Sequence, residues 1–154
     1  GPVRFVILDT GEDKPDTEPV YAGIVDFDGY RIEQAARLAQ EIESKAFKRA
    51  AFRIVMMHIP PRFSGDWHGP KHCTELFEPL INKGKVDLVL SGHTHKYIIH
   101  QPDAKLNNYP LVIGGGPKEG VRTLTKVMVS KTELTVLMLD DSGKEVGKYS
   151  ALKK

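Results

Sequence analysis

The apolar positions change period along the chain, and the change divides it. Val3–Leu8 alternates and is rich in β-branched residues, which predicts a strand that ends at Asp9-Thr10-Gly11. Residues 31–47 place Ile32, Ala35, Ala36, Ala39, Ile42 and Ala46 at helical spacing, one face of an amphipathic helix. Phe52–Met57 and residues 86–90 are mainly apolar runs of the length and β-branched content of buried strands. Between them, Cys73, Leu76, Phe77 and Leu80 mark a second helix over residues 71–82. Pro79 lacks a backbone donor and is expected to kink or restart that helix. Residues 11–20, rich in Gly, Pro and acid, read as a mobile loop, and residues 60–71 as a long loop.

Beyond His95 the helical period disappears. Residues 97–101, 111–113, 122–130, 134–139 and 145–150 are strand candidates with no long helix between them. Ser130-Lys131-Thr132 and Asp140-Asp141-Ser142-Gly143 have turn chemistry and predict two hairpins. The expected class is therefore α/β: a mixed β-sheet with flanking helices, ending in antiparallel hairpins. Residues 1–154 are read as one domain, and Gly1-Pro2 has the form of a tag-cleavage remnant that is left out of fold reasoning.

Composition narrows the partners. The 154 residues are 40% hydrophobic and 27% charged, ordinary for a globular domain. A formal charge of +2 is too small for an electrostatic nucleic-acid binder, so no nucleic-acid partner is expected. No apolar run has the length of a bilayer-spanning helix, and no membrane partner is expected. A single cysteine, Cys73, excludes an internal disulfide within a monomer, and its helical spacing makes it a small core residue. The compartment stays undetermined, an extracytoplasmic parent included.

The chemistry lies at two strand ends. The run over residues 86–90 leads into Ser91-Gly92-His93-Thr94-His95, and Phe52–Met57 leads into His58-Ile59-Pro60-Pro61. Gly92 offers a backbone with no Cβ, suited to a sharp turn or to a ligand's close approach. His93 and His95 stand at i and i+2, which puts both side chains on one face of an extended segment. Neutral imidazole is the commonest metal ligand. In α/β sheets ligands bind beyond the carboxyl ends of parallel strands. Histidines closing two such strands read as a metal site made of His58, His93 and His95.

Met57-His58-Ile59-Pro60-Pro61 and Leu90-Ser91-Gly92-His93-Thr94-His95, in that order, resemble the last two signature blocks of the calcineurin-like metallophosphoesterases. The resemblance extends over roughly residues 3–130. Tyr21-Ala22-Gly23 and the helix around Glu33-Gln34 are similar to the segment before the first block in the purple acid phosphatase-like bacterial branch. The family's Gly-Asp-x-x-Asp and Gly-Asn-His blocks do not occur in the chain, and no Asp-x-His precedes His58; Asp66-Trp67-His68 has that spacing but follows His58, and Gly65-Asp66-Trp67-His68 lacks the second Asp of Gly-Asp-x-x-Asp. The chain is thus identified as similar to the C-terminal half of such an enzyme, an αββα sandwich to which it would contribute mainly one sheet.

The resemblance implies hydrolysis of phosphate mono- or diesters by metal-bound hydroxide at a site of two divalent or trivalent ions, Zn, Mn or Fe. His58 and His93 would hold one ion and His95 the other. The remaining ligands and the general acid would come from the missing N-terminal half. The isolated chain is expected to bind metal incompletely or not at all, to be inactive, and to pair through an exposed sheet face as a homodimer. Two alternatives stay open: a non-catalytic α/β interaction module or degenerate paralogue, and a mononuclear three-histidine hydrolase.

The other polar residues are read more plainly. His68 and His72 are expected to be solvated loop and helix-start residues. His100 is expected to be structural or exposed, Trp67 to pin its loop, and Asp9 and Asp26 to serve as turn or cap residues. Gly114-Gly115-Gly116-Pro117 follows a strand, and its amides are a candidate anion nest.

Overall fold

A computed structural model describes residues 1–153. Two sheets pack face to face, with helices on the outer face of the larger one. The elements are β1 (Val3–Leu8), α1 (Phe27–Glu41), α2 (Lys45–Arg49), β2 (Phe52–Met57), α3 (His68–Lys83), β3 (Leu88–Ser91), β4 (Ile98–His100), β5 (Leu111–Ile113), β6 (Thr123–Val129), β7 (Glu133–Asp140) and β8 (Glu145–Leu152), with a single 3-10 turn at Pro19–Tyr21. The larger sheet has the order β1-β2-β3-β5-β4. Its first four strands in that order run parallel, and β4 is antiparallel to β5. The smaller sheet is the antiparallel meander β6-β7-β8. The mixed sheet and the terminal hairpins thus match the expectation.

Side-chain alternation sorts each strand of the large sheet between two cores. Leu8, Val55, Met57, Val89, Leu111 and Ile113 face the helices, packing with Leu38, Ile42, Phe47, Cys73, Phe77 and Ile81. Phe52, Ile54, Leu88 and Val112 face the other way, against Leu134, Val136 and Met138 of β7. Those three β7 residues are fully buried. Burial of such a side chain contributes about 1.5–3 kcal/mol. The chain therefore contains parts of both sheets. The expectation that it supplies mainly one is corrected, because the hairpins after Arg122 fold back over β2, β3 and β5.

The helices differ from their sequence reading in extent. α1 starts earlier than residue 31, because Asp26 caps it by accepting from the Gly29 amide at 3.1 Å. The Asp16 carboxylate also accepts from the Phe27 and Asp28 amides, each at 3.0 Å. The predicted helix is broken in two where Ser44 accepts from the Phe47 amide at 3.0 Å and caps α2. The buried stripe of α1 runs through Arg31, Gln34, Ala35 and Leu38, whereas Ile32 is exposed. α3 begins at His68, inside the predicted loop, with Pro70 in its first turn where no intrahelical donor is needed. It continues through Pro79 as one helix instead of restarting.

One corner of the sandwich lacks its second layer. β1 is an edge strand. Phe5 and Ile7 share the face of Val3 that looks toward the smaller sheet, yet they are 51% and 75% exposed, and Met56 beside them is 37% exposed. This open apolar shelf reaches His58, Leu90 and Gly92.

Candidate metal centre

Parallel pairing brings the carboxyl ends of three strands side by side: Leu8 is opposite Met57, and Met56 is opposite Leu90. Hydrogen bonds then join the segments beyond them. The Ile59 amide donates to Thr10 Oγ1 at 3.1 Å, and the Gly92 amide donates to the His58 carbonyl at 3.1 Å. His58 and His93 meet edge to face, with ring centroids 5.4 Å apart and planes at 88°. Trp67 lies beside His93 at 6.1 Å, half-exposed. It folds over Gly65, where an added Cβ would lie 1.8 Å from its ring.

The geometry of the His-x-His segment is not extended. Only Ser91 belongs to β3; His93 has φ 68° and His95 φ 58°, both in the left-handed region. Such conformations are costly for residues with a Cβ and cluster at functional sites. The shared-face argument for i and i+2 therefore does not apply, and two successive left-handed bends orient these rings instead. His95 packs on Gly116, where an added Cβ would be 2.8 Å from the His95 Cβ. Ser91 Oγ is buried with no hydrogen-bond partner.

Electrostatics keep His93 in the form a metal needs. Burial and the neighbouring His58 lower its pKa from the ordinary 6.5, Asp13 opposes this, His95 lowers it further, and Glu12 opposes it. A neutral imidazole has a free lone pair for a cation. The acidic loop that carries Glu12 and Asp13 is held by buried polar contacts. Gln34 Oε1 accepts from the Asp9 amide at 2.8 Å and Gln34 Nε2 donates to the Asp9 carbonyl at 2.5 Å. Arg31, fully buried, donates to the Thr10 carbonyl at 2.7 Å and to the Glu12 carbonyl. The Gly69 amide donates to the Asp13 carbonyl at 2.7 Å.

The donor set limits what this centre can hold. His58 and His93 are neighbouring imidazoles with ring centroids 5.4 Å apart. Among the described residues, His58, His93 and His95 do not all come within ligand distance of one another, and no carboxylate joins them there, so the expected three-histidine set is not assembled. Three imidazoles without a bridging carboxylate do not fit a two-metal centre, and no reaction step through such a centre is derived from this chain.

A different trio does converge. Asp28, His68 and His72 bring one ligand atom each to within 4.8 Å of one another. The expectation that His68 and His72 are solvated residues is corrected, since both bond the carboxylate of Asp28 on α1. The i, i+4 spacing of the two histidines was visible, but only tertiary packing supplies Asp28. The nest reading of the glycine turn is corrected too: the Gly114 amide bonds the Ser91 carbonyl at 2.8 Å, and the Gly115 amide bonds Thr123 Oγ1 at 2.8 Å. Asp9 and Asp26 take the turn and cap roles expected of them, Asp9 by accepting from the Gly11 amide at 3.0 Å. Cys73 is buried in the helical core, and His100 stacks on Phe63 at 3.9 Å.

Solved structures provide the comparison. GAP50, the anchor in the inner membrane complex of Plasmodium, superposes with a TM-score of 0.63 at 16% identity, over 99% of this chain and 50% of that one. The chain therefore spans about half the length of that relative, and the likeness is one of fold. Zinc-complexed Vps29 of Entamoeba histolytica gives a TM-score of 0.35 at 15% identity, over 64% of this chain and 53% of that one. A Streptococcus pneumoniae protein described as a predicted phosphoesterase gives 0.39 at 8% identity, over 96% of both chains. No curated protein matches. The family model of the calcineurin-like phosphoesterases matches residues 5–97, a span that holds β1, β2, β3 and the histidines beyond the ends of β2 and β3. The chain belongs to the calcineurin-like phosphoesterase family.

Proposed function

We propose that this chain is the C-terminal part of a dinuclear metal-dependent phosphoesterase, and that His58, His93 and His95 are its contribution to the metal centre. The observation that carries this reading is the edge-to-face contact of His58 and His93, 5.4 Å apart beyond the ends of two parallel strands. Held there together with ligands from outside this chain, metal ions would supply activation of water and neutralisation of phosphoryl charge. The chain's own part is to orient these imidazoles and to hold the Glu12–Asp13 loop beside His93. The carboxylate ligands and the general acid belong, on this reading, to preceding sequence. Phosphate mono- or diesters are the substrates, and zinc, manganese and iron all suit the ligand types.

The open shelf of Phe5, Ile7 and Met56 supports the same reading. An unpaired edge strand with an apolar face is the shape left where further strands of the same domain dock. GAP50, about twice as long, is in keeping with such an extension. In the isolated chain a second copy covers the shelf as a two-fold dimer. Light scattering should show the dimer, and Ile7→Lys should convert it to monomer. A wild-type chain that stays monomeric at high micromolar concentration refutes this part.

The decisive experiment is a hydrolysis assay with p-nitrophenyl phosphate and bis-p-nitrophenyl phosphate in the presence of Mn²⁺, Zn²⁺ or Fe. The full natural protein should turn over and lose activity with His58→Ala or His93→Ala, while residues 1–154 alone should not turn over. Loss of neither activity in those variants overturns the ligand assignment. A natural protein without activity favours the non-catalytic module, which the lack of a converging carboxylate at these histidines also favours.

A further inference from the structure

We propose that Asp28, His68 and His72 form a second cation site, a mononuclear site for a zinc-class divalent ion that clamps α1 to α3, separate from the His58–His93 centre. His68 opens α3 and His72 follows one turn later, so both rings project from one helical face. Their centroids are 5.8 Å apart. Across the groove, Asp28 stands in the first turn of α1. His68 Nε2 lies 2.8 Å from both carboxylate oxygens, and His72 Nδ1 lies 3.1 Å from Oδ1.

The spacing suits an ion. Zinc bonds of about 2.0–2.2 Å in a tetrahedron set ligand atoms roughly 3.4 Å apart. Here the ligand atoms all lie within 4.8 Å, so changes in separation of at most about 1.4 Å, shared between side chains, bring them to that spacing. Two histidines and one carboxylate are a common zinc donor set, and partial exposure of all three leaves a fourth position for water.

The carboxylate is also held from behind, as a ligand should be. Arg31 Nη1 donates to Asp28 Oδ1 at 2.6 Å, while the same guanidinium is fixed by the Thr10 and Glu12 carbonyls. The Asp28 amide bonds Asp16 at 3.0 Å. Outer-sphere partners of this kind orient a ligand and set its basicity. Oδ2, which Arg31 does not bond, faces His68. The ion would replace the Asp28–His68 and Asp28–His72 hydrogen bonds as the link between the first turns of the two helices, and it would fix the acidic loop that Arg31 and Gly69 hold between them.

The test is calorimetric titration of the whole chain with zinc chloride, paired with ¹⁵N spectra of the imidazole nitrogens. Wild type should bind one ion at this site, with shifts at His68 and His72. His68→Gln and His72→Gln, both on partly exposed positions and checked for fold by circular dichroism, should each weaken binding by roughly tenfold or more. His58→Asn/His93→Asn should leave the His68 and His72 shifts in place. Unchanged affinity in both glutamine variants, or zinc shifts confined to His58 and His93, overturns the proposal. So does a wild-type chain that takes up no zinc at micromolar concentration.

Discussion

The Gly92 amide donates to the His58 carbonyl at 3.1 Å, so the ends of β2 and β3 are joined at the point where their histidines begin. A Cβ on Gly92 would lie 3.5 Å from His58 Nδ1 and 3.7 Å from Cε1, ordinary contact distances. Gly92→Ala is therefore expected to fold with little change in melting temperature. Gly92→Leu should push the exposed His58 ring aside into solvent, displacing its ¹⁵N resonances with little further loss of stability. Unchanged His58 resonances in Gly92→Leu would contradict this packing.

Gly69 is fixed by a backbone rather than by a side chain. An added Cβ would sit 2.6 Å from the Asp13 Cα and 2.9 Å from its carbonyl oxygen. Gly69→Ala should lower unfolding free energy by about 1–3 kcal/mol and raise hydrogen exchange at residues 11–14. Urea denaturation and exchange mass spectrometry read the two effects.

His100 gives the fold an acid-sensitive contact. It stacks on Phe63, planes within 16°, and burial lowers its pKa from 6.5. The unfolded chain takes up the proton at higher pH than the folded one, so this contribution is complete above the unfolded value. It is lost as pH falls through the folded pKa. Urea midpoints measured on either side of roughly pH 6.5 should fall on acidification, and His100→Phe should reduce the fall.

Burial pushes the Cys73 thiol up to about 11, with Arg31 nearby only partly offsetting it. The native thiol should therefore react with a disulfide reagent at neutral pH only as fast as the chain opens, and at full speed in denaturant. Rapid labelling of the folded protein would show that the helical core is open.

Much of the fold was legible because its signals are local. The strands Phe52–Met57 and Leu111–Ile113 were read to the residue, and the two terminal hairpins were marked by turn chemistry. The helices were placed but mis-bounded, because caps made by Asp26 and Ser44 overrule the apolar stripe that runs past them. Arg31 and Gln34 on the buried face of α1 could not be expected from periodicity, since their burial depends on carbonyls of Thr10, Glu12 and Asp9 that only folding brings there.

The sequence by itself determined that this is an α/β chain of the calcineurin-like phosphoesterase family with histidines closing two buried strands, because strand periodicity and short motifs are written in consecutive residues. Tertiary structure decided the rest. Parallel pairing set His58 against His93, left-handed bends aimed His93 and His95, and the docking of α1 on α3 brought Asp28 to His68 and His72. Those relationships join residues up to tens of positions apart, and packing, not local propensity, fixes the distances between them.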